Sequence, residues 1–227
     1  MDRKKVRIVV DSSSDILELD GYDFASAPLK IITDVKEYVD DQRLNVEEMV
    51  EELLKYSGRS STSCPNMTDW LGVFGDAEYV FCITITAALS GSYNSARVAK
   101  RIYEDEHEGR RVCVINSRST GPEMRLIVEK LCEYIDGLDT FDEVCSAIDD
   151  YMQKTGLLFM LQSMKNLANN GRVNKVVAKM AGVLGIRAIG RASDEGTLEM
   201  LEKSRGEKNA LDCMVLQMKN SVTTAVK

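Results

Sequence analysis

The sequence predicts an α/β fold in two lobes: a first with a mostly parallel sheet flanked by helices, and a second, smaller α/β lobe. Three observations carry this. Short apolar, β-branched runs at 6–10, 79–85 and 111–115 each run into small polar residues: Asp11-Ser12-Ser13-Ser14, Leu89-Ser90-Gly91-Ser92 and Asn116-Ser117-Arg118-Ser119. Amphipathic stretches separate these runs, so strand, polar turn and helix recur about three times, the pattern of parallel strands joined by helical crossovers. After Gly156 the character changes to shorter, glycine-punctuated runs. The expected lobes are residues 1–155 and 156–227.

Taken in order, 6–10 reads as a first parallel strand, and Ser12, Ser13 or Ser14 can cap the turn after it. Residues 29–33 and 37–39 flank a turn at Asp34-Val35-Lys36 and predict a hairpin. Val46, Met49, Val50, Leu53 and Leu54 recur at helix spacing over 45–56, with Asn45 as N-cap and Glu47 and Glu48 in the first turn. Ser60-Ser61-Thr62-Ser63-Cys64-Pro65-Asn66 is the densest hydroxyl cluster and reads as a loop in which Pro65 pushes Cys64 towards extended geometry. Thr68 is the expected cap of a helix carrying Trp70, Leu71 and Phe74.

Residues 79–85 read as a strand buried on both faces. The turn after them lies where open α/β sheets bind ligands. Ser90, Gly91 and Ser92 there offer hydroxyls and N–H groups at a helix N-terminus, which suits an anion. Plain helix capping by Ser90 or Ser92 uses the same residues, and the local pattern does not separate the two readings. Helices are expected at 124–135 and 141–154. Beyond Gly156 the expectations are an apolar run at 157–161, a helix at 175–180, a strand or turn–strand at 182–189, a turn at Asp194-Glu195-Gly196 and a helix at 209–219.

Composition excludes several classes of function. A net charge of −7 argues against nucleic-acid binding, which usually needs a basic face. The longest apolar run falls far short of the roughly 18 residues of a membrane helix, and the N-terminus has no apolar stretch of signal-peptide length. A cytoplasmic location is the expectation. The six cysteines contain no C-x-x-C pair and read as reduced, mostly buried thiols rather than disulfides or a zinc site. His107, the single histidine, sits in a charged loop, so a histidine-dependent triad or multi-histidine metal site has almost nothing to build on. An enzyme reading, a small α/β phosphotransferase or hydrolase, would rest on Asp11 and the serine loops. It lacks G-x-S-x-G, a P-loop and G-x-G-x-x-G.

The order of the motifs is more specific than any one of them. VVDSSSD (9–15), APLKI (27–31), STSCPN (61–66), LSGSYNSA (89–96), VINSRS (114–119), NNGRV (169–173) and KSRGEKNA (203–210) follow one another along nearly the whole chain. In this the chain resembles the DegV family of bacterial lipid-binding proteins. The resemblance implies two α/β lobes with a long-chain fatty acid between them, its carboxylate held by hydroxyls of the TS and LSG loops and its acyl chain in an apolar tunnel. It implies ligand contacts at Thr62, Ser63, Ser90, Gly91 and Ser92, with Arg172 and Arg205 as the cationic groups near the head group. It implies no catalytic residue, no metal and no cofactor beyond the bound fatty acid. Some members serve as the acyl-carrying subunit of a fatty acid kinase, which makes an ATP-using subunit the expected partner. Two departures stand out: Cys64 and Asn66 replace the glutamine and serine of many members, and the family continues past 209–219 into a βαβ portion with a histidine-glycine motif. The second lobe is therefore expected to be shortened relative to the family.

Overall fold

A computed structural model describes residues 1–173 and 185–225. The helix expected at 175–180 and the start of the run expected at 182–189 lie outside the described residues. The chain divides into two units, Met1–Gln153 and Lys154–Lys227.

In the first unit the order is β1 (Val6–Asp11), β2 (Asp23–Ala27), β3 (Lys30–Ile32), β4 (Glu37–Val39), α1 (Val46–Lys55), β5 (Ser61–Ser63), α2 (Met67–Phe74), β6 (Tyr79–Thr84), α3 (Ser92–Glu106), β7 (Arg111–Asn116), α4 (Pro122–Gly137) and α5 (Phe141–Met152). Strands β2, β1, β6 and β7 form one sheet in that order, with every pair parallel. Period-2 alternation sends successive side chains to opposite faces. Val6, Ile8 and Val10 pack with Phe81, Ile83 and the apolar stripes of α4 and α5, including Ile127, Leu131, Val144 and Ile148. Val9, Val80, Cys82 and Val112 pack on the other face with Trp70 and Phe74 of α2 and Ala96, Ala99 and Tyr103 of α3. Both faces are covered, which is why these strands read as continuous apolar runs.

The predicted hairpin is present as β3 and β4, closed by the Thr33 and Lys36 main chains. Two further strands are not foreshadowed by the residue pattern. Ser61–Ser63 was expected to be loop, yet it forms β5, antiparallel to β3 with Thr62 opposite Ile31. Strand β2 extends the parallel sheet beside β1. Both are short edge strands in which, apart from Phe24, the residues are small or polar, so they follow their partner's hydrogen bonds rather than a hydrophobic pattern. The cap of α2 also differs from expectation. Asn66, not Thr68, is the N-cap: its side chain accepts from the Thr68 and Asp69 N–H groups, and Asp69 accepts in return from the Asn66 N–H, closing a capping box. At α1 the expected cap is found, with Asn45 accepting from the Glu48 N–H.

The second unit holds β8 (Leu158–Leu161), α6 (Lys165–Asn169), β9 (Ile186–Ala192), β10 (Leu198–Arg205) and α7 (Glu207–Ala225). Its sheet is antiparallel, in the order β10-β9-β8, with a register shift between Met200 and Glu202. Gly190 in β9 is required there, because any side chain would run into the Phe159 ring and the Glu199 carbonyl. Met164, Ala168 and Ala188 form the small core of this unit. Among the described residues, no helix is long and apolar enough to cross a membrane.

Candidate ligand-binding site at the carboxyl edge of the sheet

The buried polar side chains of the described residues gather in one place. Asp11, Ser12, Ser14, Thr84, Thr86, Ser92, Ser117, Ser119 and Glu123 are all buried, and all lie between the carboxyl ends of β1, β6 and β7 and the first turns of the helices that follow. Burying polar groups costs stability unless they are paired. Their concentration at one edge marks the edge where parallel α/β sheets place their ligands.

Asp11 sits at the centre. It is the last residue of β1 and is 0% exposed. One of its oxygens accepts from the Ser13 hydroxyl at 2.5 Å. The other accepts from the Ile85 N–H at 2.9 Å and the Ser92 hydroxyl at 2.6 Å. Burial pushes the Asp11 carboxyl above its ordinary value of 3.8, and the donors from Ser13, Ser92 and Ile85 offset only part of that. Asp11 thus ties the ends of β1 and β6 and the start of α3 into one network. A carboxylate this enclosed fixes loops; it is poorly placed as the base or metal ligand of the phosphotransferase or hydrolase reading. Among the described residues, no group of three or more His, Cys, Asp or Glu side chains could hold a metal ion.

Helix α3 begins beside this network. Its N-cap is Gly91, which contributes no side-chain cap. Ser92 is the first helical residue rather than the cap, and its hydroxyl donates to Asp11. The Ser90 hydroxyl accepts the Ser92 N–H at 3.2 Å, so the capping role falls to Ser90. Helix N-termini carry partial positive charge and N–H groups that suit an anion. Cys64, two residues past Thr62, closes on this turn: a Cβ placed on Gly91 would lie 3.3 Å from its Sγ. Glycine therefore lets the Thr62–Cys64 segment approach the start of α3.

Five of the seven expected site residues lie on the two segments that Cys64 and Gly91 bring together. Thr62 is exposed on β5 and Ser63 is half-buried beside it. Ser90 is half-buried, Gly91 is exposed, and Ser92 is fully buried on Asp11. The other two belong to the second unit. Arg172 follows α6 and donates to the Asn170 carbonyl at 2.5 Å. Arg205 is exposed at the end of β10. His107 is remote from the site: it closes the far end of α3, about 22 Å along a 15-residue helix, with its ring nitrogen on the Tyr103 carbonyl.

Reading the sequence for ligand contacts passed over two features of the site. One is the central role of Asp11, whose signal was a lone acid closing an apolar strand. The other is the loop after β7. There the Ser119 carbonyl accepts the Thr86 N–H, and the Asn116 side chain accepts from Ala87, pinning the turn before α3. The Ser119 hydroxyl itself is buried with no hydrogen-bond partner.

A family model described as "uncharacterised protein, DegV family" matches residues 5–225. A DegV domain-containing protein of Streptococcus pneumoniae is 41% identical over 209 residues, covering 90% of this chain and 74% of that protein. The crystal structure of a DegV family protein from Eubacterium eligens, loaded with heptadecanoic acid, superposes with a TM-score of 0.92 at 48% identity, over 95% of this chain and 78% of that one. The Streptococcus pneumoniae fatty acid kinase B3 protein, loaded with linoleic acid, superposes with a TM-score of 0.93 at 39% identity, over 96% and 79%. With its motifs in order, its fold matched and its sequence aligned from residue 5 to 225, the chain belongs to the DegV family.

Proposed function

We propose that this chain binds one long-chain fatty acid and does not itself catalyse a reaction. The observation that carries the reading is the likeness of the whole fold to structures loaded with fatty acids. Relatives at 48% and 39% identity share the fold and are loaded with heptadecanoic and linoleic acid, and this chain has an anion-ready helix start flanked by hydroxyls to receive such a carboxylate. The carboxylate is received by the hydroxyls of Thr62, Ser63 and Ser90 and by main-chain N–H groups at Gly91 and the first turn of α3. Ser92 anchors that turn through Asp11, since its one proton is already given. Arg172 and Arg205 serve the hand-off to a partner more than retention of the ligand. That partner is an ATP-using fatty acid kinase subunit, by likeness to the kinase B3 protein. The protein works in the cytoplasm.

The energetics fit a binder that needs few polar groups. Burying the methylenes of a chain of ~16 carbons yields about 12 kcal/mol gross at ~0.8 kcal/mol each, and less after ordering costs. The head group then has only to fix orientation. Mass spectrometry of small molecules released on denaturing the purified protein tests the reading, together with a displacement titration against a fluorescent fatty acid. A co-purified C14–C20 acid and saturable displacement are expected. A protein that releases no acyl chain and fails to bind one after delipidation would remove the proposal. Formation of acyl phosphate on adding a kinase subunit and ATP tests the partner separately.

A further inference from the structure

We infer that Asp11 is a built-in counter-charge that loosens the site's grip on an anionic head group, so that the carboxylate is oriented without being held tightly. The inference rests on the fatty-acid reading and extends it to a residue outside the contact set. Asp11 is buried and in no ion pair among the described residues. Its Oδ2 lies 2.6 Å from the hydroxyl of Ser92, the first residue of α3. The positive end of α3 therefore already faces one negative charge before any ligand arrives, and a second anion at the same turn must share it. In a buried setting, like charges separated by one side chain repel far more than they do in water.

The fold does not require that charge. An asparagine of the same shape presents an oxygen to the Ile85 N–H and the Ser92 hydroxyl, and its amide meets the Ser13 oxygen. A buried carboxylate without a cation is costly to keep. A charge retained at a stability cost beside a binding turn is better explained by what it does to the ligand than by what it does for the core.

The test is Asp11→Asn in the full chain, titrated with palmitate and with hexadecanol, which share an acyl length but differ in head-group charge. The variant is expected to bind palmitate about threefold tighter or more, with hexadecanol affinity unchanged. Thermal melts confirm that it is folded. Equal or weaker palmitate binding by folded variant would overturn the inference, and so would an equal gain for the alcohol, because a purely structural role does not distinguish the two probes. If Asp11→Asn folds poorly, Asp11→Ser provides a second neutral acceptor, judged by the palmitate-to-hexadecanol ratio. If the parent binds neither probe, the fatty-acid reading fails and this inference falls with it. If the parent binds palmitate and the ratio does not move, the inference fails alone.

Discussion

Replacing Gly91 with alanine is expected to part the two loops proposed to hold the head group. The backbone tolerates the change, since Gly91 has φ −75° and ψ −3°, well within reach of alanine. The obstacle is Cys64, whose Sγ would lie 3.3 Å from the new methyl. Comfortable contacts between such atoms begin near 3.5–4.0 Å, so one loop must retreat by a few tenths of an ångström. Overpacking costs about 1–3 kcal/mol in a rigid core, and a surface loop shares the strain, so the low end applies. For a chain of this length that lowers Tm by about 2–4 °C. On the proposed site the effect on binding is larger in proportion, because parting the loops draws Thr62 and Ser90 away from a shared carboxylate. Fatty-acid affinity should fall about tenfold, or roughly 1.4 kcal/mol. Cys64→Ala in the same chain removes the obstructing sulfur and should restore most of the affinity. The assay is displacement of a fluorescent fatty acid from the parent, both single variants and the double variant, with melts alongside. Unchanged binding by Gly91→Ala, or a loss that Cys64→Ala does not recover, would show that these segments do not act together on a ligand.

Three further outcomes are expected. Thr62→Val and Ser90→Ala should each weaken fatty-acid binding by about tenfold with little change in Tm, since hydrogen bonds to a charged group contribute roughly 1.5–3 kcal/mol and neither side chain is fully buried; parent-like affinity in both would reduce them to loop and cap residues. Asp11 sets a pH dependence of stability: with its folded pKa raised above the ordinary 3.8, its contribution is fully present below that value and is lost as pH rises through the raised one. Asp11→Asn should therefore melt above the parent at pH 7.5, with the gap narrowing as pH falls towards 4; a gap independent of pH would contradict the burial of an ionised Asp11. Asn66→Ala should cost about 1 kcal/mol in urea unfolding by removing the α2 capping box, whereas Thr68→Ala should cost less; the reverse order would return the cap to Thr68.

Much of this protein was legible from residues in order. The runs at 6–10, 79–85 and 111–115 became β1, β6 and β7 because both faces of those strands are buried, and burial on both faces writes itself into sequence as an unbroken apolar run. Helix α1 and its Asn45 cap were legible because capping and helical spacing act within one or two turns. The ordered motifs pointed to the family to which the chain belongs. Tertiary structure alone decided the rest. The Ser92 hydroxyl belongs to Asp11, 81 residues away, and nothing in the LSGS turn announces that. Thr62 lies on a strand because β3 lends it hydrogen bonds, and Cys64 meets Gly91 because sheet and helix bring their loops to the same edge. Local patterns record what the chain does to itself within a few residues. Which hydroxyl receives which proton depends on strand order and on groups far apart in sequence, and those are fixed only when the sheet is assembled.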